Sequence, residues 1–246
     1  MILKKRIDLI LVEKKIVKTR TKAQAMIMAG QIFINNNKVL KSGDIYHDNV
    51  DIFCKSLHPD WVSRGALKLL HAIDHFKIDV ANLKCLDIGA STGGFTEVLL
   101  SKKAKKIYSV DVGTNQLHEK LQNNSKVINI SKINARYLTG EILPELLDII
   151  VCDVSFISMK KVIYPSLTFL EKKFGIIIGL IKPQFESEKK ELIKGGIIRD
   201  PKIHERICNN YKNWFSIVCK MKVLGITPSP IRGPKGNIEF LICAKR

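Results

Sequence analysis

The stretch that most limits what this chain can fold into runs from Lys84 to Lys103. A strand-like run, Lys84 to Gly89, enters Gly89-Ala90-Ser91-Thr92-Gly93-Gly94-Phe95, and a helical pattern from Thr92 to Lys103 comes at once after it. Strand, glycine turn and helix open a parallel sheet, and the turn is where such sheets bind nucleotides. Gly89 suits a tight turn, and Gly93 with Gly94 leaves the backbone open to a ligand. Asp111, 22 residues past Gly89 at the end of a second strand-like run (Lys106 to Val112), is placed to accept hydrogen bonds from ribose hydroxyls. The spacing is not the G-x-G-x-x-G of dinucleotide enzymes, and no Gly-Lys-Ser/Thr follows to make a P-loop. These residues predict a nucleotide site and leave open which nucleotide it holds.

The alternation continues downstream. Gln116 to Gln122 reads as a helix and Lys126 to Ile130 as a third strand. Leu146 to Val154 and Phe174 to Ile181 are continuous apolar runs, as expected of strands covered on both faces. Ser158 to Glu171 joins them as a helix, Pro201 to Met221 is a long helix, and Val223 to Ile226 and Ile238 to Ala244 are closing strands. The pattern predicts an α/β fold, an open and mostly parallel doubly wound sheet. The longest apolar run stops at Lys182, too short to span a bilayer, and the basic start of the chain is interrupted by Asp8 and Glu13 with no cleavage site after it. A cytoplasmic protein is expected. Six scattered cysteines contain no C-x-x-C pair, so neither a disulfide framework nor a zinc site is expected.

Residues 1 to about 60 read differently, and the domains are expected at 1–60 and 61–246. Arg6 to Lys14 carries an imperfect helical stripe. Thr21 to Ala29 is a second helix, with Thr19 or Thr21 as N-cap and Gly30 at its left-handed end. Gln31 to Ile34 alternates like a strand, Asn35-Asn36-Asn37 turns, and Lys38 to Leu40 returns. Ten Lys or Arg face four Asp or Glu across Met1 to Val50, within a chain of formal charge +18. Such a balance favours a polyanionic partner, nucleic acid first. A codon-biased, lysine-rich surface is the competing account, since 33 of the 41 cations are lysine.

Four polar residues interrupt apolar segments. Asp153 and Lys182 end strand-like runs at their carboxyl ends, where ligands bind in this architecture. Glu239 sits inside Asn237 to Ile242, and Lys68 lies in the helix Gly65 to Leu70 ahead of the first strand. A buried charge is costly unless paired. Spacing alone favours one structural ion pair plus two ordinary surface residues.

The motifs together carry more. Ser63-Arg64-Gly65-Ala66-Leu67-Lys68-Leu69, D-I-G-A-S-T-G-G-F-T from Asp87, V-D-V-G-T-N-Q-L from Val110, C-D-V-S-F-I-S from Cys152, K-P-Q-F-E from Lys182 and K-G-G-I-I-R-D-P from Lys194 closely resemble the TlyA family in one order over nearly the whole chain. Arg6-Ile7-Asp8-Leu9 and Ala23 to Gly30 look like the RNA-binding module of ribosomal small-subunit protein S-four. Thr19-Arg20-Thr21 stands where Ser-Arg is usual, and Asn36 where a turn glycine is. The resemblance implies a Rossmann-like, FtsJ-like S-adenosylmethionine-dependent methyltransferase domain behind a small α+β RNA-binding domain. It implies transfer to the ribose 2′-hydroxyl of cytidine in large-subunit ribosomal RNA, and in some members small-subunit RNA, with ribosomal subunits as partners and no metal.

It also carries a Lys-Asp-Lys-Glu tetrad onto Lys68, Asp153, Lys182 and Glu239. Lys182 is expected to take the hydroxyl proton and Lys68 to orient the hydroxyl, with Asp153 and Glu239 fixing the lysines. The cofactor is expected on Asp87, Gly89, Ala90, Ser91, Thr92, Gly93, Gly94, Phe95, Asp111, Val112, Asn134 and Asp153. RNA is expected on Arg6, Arg20, Lys22, Gln24, Lys38 and Arg64. Three other functions compete: a nicotinamide oxidoreductase, whose fingerprint is missing; an RNA-binding assembly factor with little catalysis; and a membrane-active hemolysin, a label such proteins often carry, although no membrane-inserting segment is expected.

Weaker features resolve toward structure. His71 and His75, at i and i+4, lack a third ligand and are expected to be a structural or solvated pair. Trp214 is expected in the core, while Trp61 could pack or stack on a base. The charged stretch Glu186 to Gly196 is a solvated loop or a flap over substrate.

Overall fold

The computed structural model describes residues 4–34, 37–50, 52–54, 61–193, 195–233 and 236–246, with the side chains of Phe53 and Lys189 excepted. The expected turn at Asn35 and Asn36, Lys194, and the end of the link before Trp61 lie outside the described residues. The chain divides into two compact units, Met1–Asp60 and Trp61–Arg246.

In the first unit β1 (Lys4–Arg6) pairs antiparallel with β4 (Ile45–His47). Helices α1 (Ile7–Glu13) and α2 (Arg20–Met28) lie in sequence between them, followed by β2 (Ile32–Ile34) and β3 (Asn37–Lys38). β2 is the centre of a three-stranded antiparallel sheet, with β3 on one side and β5 (Ile52–Cys54) on the other. The first helix starts one residue later than the sequence suggests because Arg6 pairs with Ile45 and the Ile7 N–H donates to Asp44. Thr19 is the N-cap of α2, accepting from the Lys22 N–H at 3.2 Å, and Gly30 ends that helix at φ +68°. Ile7, Ile10, Leu11, Ala23, Ile27 and Ile32 form the core. Each fully buried Ile or Leu contributes about 1.5–3 kcal/mol, so a set this small gives a modest stability.

The second unit is built on one seven-stranded sheet. Its strands in chain order are β6 (Lys84–Ile88), β7 (Lys106–Asp111), β8 (Val127–Ser131), β9 (Ile149–Cys152), β10 (Ile176–Ile181), β11 (Lys222–Pro228) and β12 (Phe240–Lys245). In space the order is β11-β12-β10-β9-β6-β7-β8. The five strands from β10 to β8 are parallel, and β12 and β11 add antiparallel at one edge. Helices α3 (Ala66–Phe76), α4 (Gly94–Ser101) and α5 (Glu119–Gln122) contribute to the core on one face. Helices α6 (Lys160–Ser166) and α7 (Pro201–Asn213) contribute on the other.

Several sequence expectations change here, and the helix expected over Gln116 to Gln122 forms only at Glu119–Gln122. The helix expected over Ser158 to Glu171 is shorter, ending in a 3₁₀ turn at Leu167–Phe169. The long helix keeps its α form to Asn213 and then widens into a π-turn over Trp214–Val218. Glu239 precedes β12 instead of lying within it.

The order of the strands fixes where the chemistry can be. From β6 the chain moves outward through β7 and β8, then crosses back to place β9 on the other flank of β6. The carboxyl ends of β6 and β9 therefore border the crevice where strand order reverses, the place where open sheets of this type bind ligands.

Candidate active site

The turn after β6 is shaped by contacts with the ends of two neighbouring strands. Gly89 and Ala90 donate their N–H groups to the Val110 carbonyl of β7 at 2.9 and 3.1 Å. Gly89 has φ +81°, and a Cβ on it would lie 2.5 Å from the Asp153 carbonyl oxygen. Glycine is needed there on both counts. Gly93 has φ +98°. A Cβ on Gly93 would meet Leu121 Cδ1 at 2.2 Å, and one on Gly94 would meet Ala66 N and Ser63 Cβ at 3.0 Å. Both glycines let the start of α4 pack closely, Gly93 against α5 and Gly94 against α3.

Asp111 ends β7 with each carboxylate oxygen accepting a backbone N–H, Oδ2 from Ser91 and Oδ1 from Gly113, both at 2.8 Å. Each oxygen keeps a further lone pair for a ligand hydroxyl. Gly89, Ser91, Asp111, Val112, Asn134 and Asp153 help line a cavity of about 470 Å³. Asn134 caps a short 3₁₀ turn, its Oδ1 accepting from the Arg136 N–H at 3.1 Å. Ala90, Thr92, Gly94 and Phe95 line instead a smaller cleft of about 170 Å³, together with Asp153 and Lys182.

Asp87 lies beneath the turn and does not line either cavity. It is fully buried, accepts from the Thr96 hydroxyl at 2.7 Å, and has no hydrogen-bond partner at Oδ1 among the described residues. Burial pushes its carboxyl up to about 7, and Asp153 and Asp111 add to the shift against the opposing Thr96 hydrogen bond.

The four charged residues that interrupt apolar segments come together at the carboxyl end of the sheet. Lys68 Nζ lies 2.6 Å from Glu239 Oε2 and 3.9 Å from Asp153 Oδ2. Lys182 Nζ lies 2.5 Å from Asp153 Oδ1 and donates to Ser155 Oγ at 2.9 Å. The lysine and Glu239 side chains are at most 8% exposed, and that of Asp153 is 20% exposed. Asp153 thus bridges two buried ammonium groups, and the formal charges of the four balance. A single structural pair with two surface residues does not describe this arrangement. Gly233 is part of it, because a Cβ there would lie 2.1 Å from Glu239 Oε1.

Sequence reasoning also missed Ser155 and Phe156, although both stand in the C-D-V-S-F-I-S run. Phe156 has φ +65° and is 91% exposed, and its ring lies 5.1 Å from that of Phe185. An exposed phenylalanine in the left-handed region is costly, and nothing in its spacing distinguishes it from an ordinary core residue.

The residues expected to meet RNA are distributed over both units. In the first, Arg6, Arg20 and Gln24 all donate to the carboxylate of Asp8, which is completely buried. The Arg6 hydrogen bonds hold the Asp8 carboxyl well below its usual range against the opposing effect of burial, with Gln24 and Arg20 adding to the depression. The arginine side chains remain 43% and 51% exposed. Lys22 lies in the first turn of α2, and the Lys38 side chain lies against Gly30. In the second unit the exposed Arg64 donates to the Arg232 carbonyl at 3.1 Å.

His71 and His75 stack at 5.7 Å, and His71 Nε2 lies 3.2 Å from the Thr227 hydroxyl. No group of three metal-ligating side chains occurs among the described residues. Trp214 packs edge-on against Phe215, whereas the Trp61 indole N–H is buried without a partner among the described residues. In the charged stretch after Glu186, Glu191 accepts from Arg206 at 2.7 Å. The six cysteines are free, and no helix among the described residues is long and apolar enough to cross a membrane.

Residues 61–246 match the FtsJ-like methyltransferase family, and residues 5–52 match the S4 domain. "Hemolysin A" of Brachyspira hyodysenteriae is 45% identical over 91% of this chain and 92% of its own length. The "16S/23S rRNA (cytidine-2'-O)-methyltransferase TlyA" of Mycobacterium tuberculosis is 36% identical over 96% of this chain and 88% of its own. A solved structure described as "Putative hemolysin from Streptococcus thermophilus" superposes with a TM-score of 0.74 at 35% identity, covering 100% of this chain and 90% of that one. With an S4 domain ahead of an FtsJ-like methyltransferase domain, and such relatives over almost its whole length, the chain belongs to the TlyA family.

Proposed function

We propose that this chain is an S-adenosylmethionine-dependent methyltransferase acting on the ribose 2′-hydroxyl of cytidine in ribosomal RNA. The observation that carries the proposal is the bridging of Lys68 and Lys182 by Asp153, whose backbone carbonyl closes on the glycine turn at Gly89. The cavity beside that turn fits the cofactor. Its walls pair Asp111, with free lone pairs for ribose hydroxyls, with apolar Val112, Ile133 and Ala135 suited to a flat base. Bound there, S-adenosylmethionine supplies a methyl carbon on a positively charged sulfur, an electrophile that needs no metal.

The chain's own residues then have to prepare a poor nucleophile. Lys182, after releasing its ammonium proton to solvent, takes the proton of the 2′-hydroxyl as the oxygen forms its bond to the methyl carbon and the carbon–sulfur bond breaks. Asp153 and Ser155 hold the Lys182 amine in place. Lys68, held by Glu239, orients the hydroxyl from the other side of Asp153. Alignment of the two reacting atoms accounts for much of the rate, up to about 7–11 kcal/mol in favourable cases. The exposed Phe156 ring, in the wall of the cofactor cavity, offers a flat surface to an incoming base. The basic first unit, with Arg6 and Arg20 presented by Asp8, supplies contacts to the RNA backbone.

The test is transfer of labelled methyl from S-adenosylmethionine to purified ribosomal subunits, followed by nuclease digestion. The expected product is 2′-O-methylcytidine, and Lys182→Ala should lower the rate by about 10²-fold or more, the span of lost general-base catalysis. A label found on a base, or a Lys182→Ala chain that keeps the full rate, refutes the assignment.

A further inference from the structure

Glu186 closes the K-P-Q-F-E run and stands outside the tetrad, yet it too is held by two donors. Its Oε1 accepts from the Tyr211 hydroxyl at 2.6 Å and from the Met159 N–H at 3.1 Å, and the Ser158 hydroxyl lies 3.4 Å from that of Tyr211. Tyr211 is 1% exposed. Burial holds the Glu186 carboxyl above its usual range, against the opposing effect of these donors. A carboxylate drawn inward at that cost is retained where its hydrogen bonds hold something in place.

The hydrogen bonds along the backbone identify the parts held. The Phe185 N–H donates to the Lys182 carbonyl at 2.9 Å and the Glu186 N–H to the Pro183 carbonyl at 3.0 Å, so Lys182 to Glu186 is one closed 3₁₀ turn. Met159, which Glu186 grips, ends the loop that begins at Asp153. Between the two ends, Lys182 donates to Ser155 and the Phe185 ring lies against Phe156. One loop carries Asp153 at its start and the other carries Lys182. Glu186 ties their far ends together and fastens both to α7 through Tyr211.

We infer that Glu186 is a positioning residue for methyl transfer, fixing the contact between Lys182 and Asp153 by pinning the loop after β10 to the loop after β9. The inference rests on the proposed role of Lys182. It gives Glu186 no contact with substrate or cofactor.

Glu186→Leu removes every acceptor, and Glu186→Gln keeps one oxygen for the Tyr211 and Met159 donors. In single turnovers with both substrates saturating, Glu186→Leu should be slower by about 10²-fold, the effect of displacing a reacting group by about 1 Å. Affinity for S-adenosylmethionine, measured by titration, and the KM for ribosomal subunits should stay near the wild-type values. Glu186→Gln should recover most of the rate. Crystals of Glu186→Leu should show Lys182 Nζ displaced from Asp153. Two results overturn the inference: a Glu186→Leu chain with the wild-type rate, or one whose Lys182–Asp153 contact is unchanged. A parallel fall of rate and affinity that Glu186→Gln does not restore also overturns it, in favour of a purely structural role. If the wild-type chain transfers no methyl to ribose, the proposed function fails, and the crystal structure alone decides whether Glu186 fixes the contact.

Discussion

Replacing Lys68 by methionine tests the buried pair most directly, because methionine matches the shape of the lysine stem and removes only its charge. Glu239 is then left 1% exposed with no partner on either oxygen, since Oε1 has none among the described residues and Oε2 is held by Lys68. Removing one member of a buried pair costs about 3–5 kcal/mol. The orphaned carboxylate can also escape by taking up a proton, which at pH 7 costs about 4 kcal/mol for an acid with an ordinary value near 4.3. The two routes agree, so the expected loss is about 4 kcal/mol at pH 7.

The second route has a sign that can be checked. A carboxyl that must be protonated in the folded state contributes its stability fully below the unfolded value and loses it as pH rises. The penalty should therefore shrink by about 1.4 kcal/mol per pH unit on going from pH 7 toward pH 5. Urea unfolding followed by tryptophan fluorescence isolates the right unit, because Trp61 and Trp214 are the only tryptophans and both lie in Trp61–Arg246. With a slope of about 2 kcal/mol/M, the midpoint at pH 7 should fall by about 2 M. Lys68→Met/Glu239→Leu removes both charges and should return to within about 1 kcal/mol of wild type while remaining inactive. A Lys68→Met midpoint near that of the wild type at pH 7 refutes the reasoning. So does a penalty that does not change with pH, or a double variant no more stable than the single one.

Gly89→Ala places a Cβ 2.5 Å from the Asp153 carbonyl oxygen on a residue at φ +81°; displacement of Asp153 should lower methyl transfer by about 10²-fold, read in single turnovers. The Asp87 carboxyl, pushed up to about 7 by burial, binds its proton more tightly when folded. Its contribution to stability is present below about pH 4 and is lost as pH rises through 7, so Asp87→Asn should flatten the decline of the urea midpoint between those limits. Asp8→Asn removes the charge that gathers Arg6 and Arg20. It should weaken RNA binding by about 1.5–3 kcal/mol at low salt, the scale of one charge-assisted hydrogen bond, as measured by filter retention at several salt concentrations.

Much of the second unit is legible in the sequence because its strands are long and apolar on both faces, a pattern that solvent exposure does not blur. Asp153 and Lys182 stand out for the same reason, each being the first charged residue after such a run. Legibility fails where position depends on a distant partner. β4 and β5 have three residues each and owe their form to pairing with β1 and β2, which no local period reveals. Glu239 reads as a strand residue because Asn237-Ile238-Glu239 continues in alternating hydropathy into Phe240. In the structure Asn237 turns aside to bond the Gly196 carbonyl and the Ile198 N–H. Gly93 and Gly94 suggest a ligand because glycine in a turn has many uses, and no local period reveals that Leu121 and Ala66 also pack against them. Asp8 does not stand out because an acid in the first turn of a helix is common, and its burial beneath two arginines is a tertiary fact.

The position of β12 has a consequence for how the protein comes to exist. It is made after β11 but sits between β11 and β10, next to the run Ile176-Ile177-Ile178-Gly179-Leu180-Ile181. Until it arrives, that run is a bare apolar edge, the kind of template on which nascent chains aggregate. The residue just ahead of β12 is Glu239, the partner of Lys68. The strand that seals the hazardous edge therefore also brings in the partner of Lys68, so a chain still exposed to misassembly is a chain whose buried charges are not yet paired.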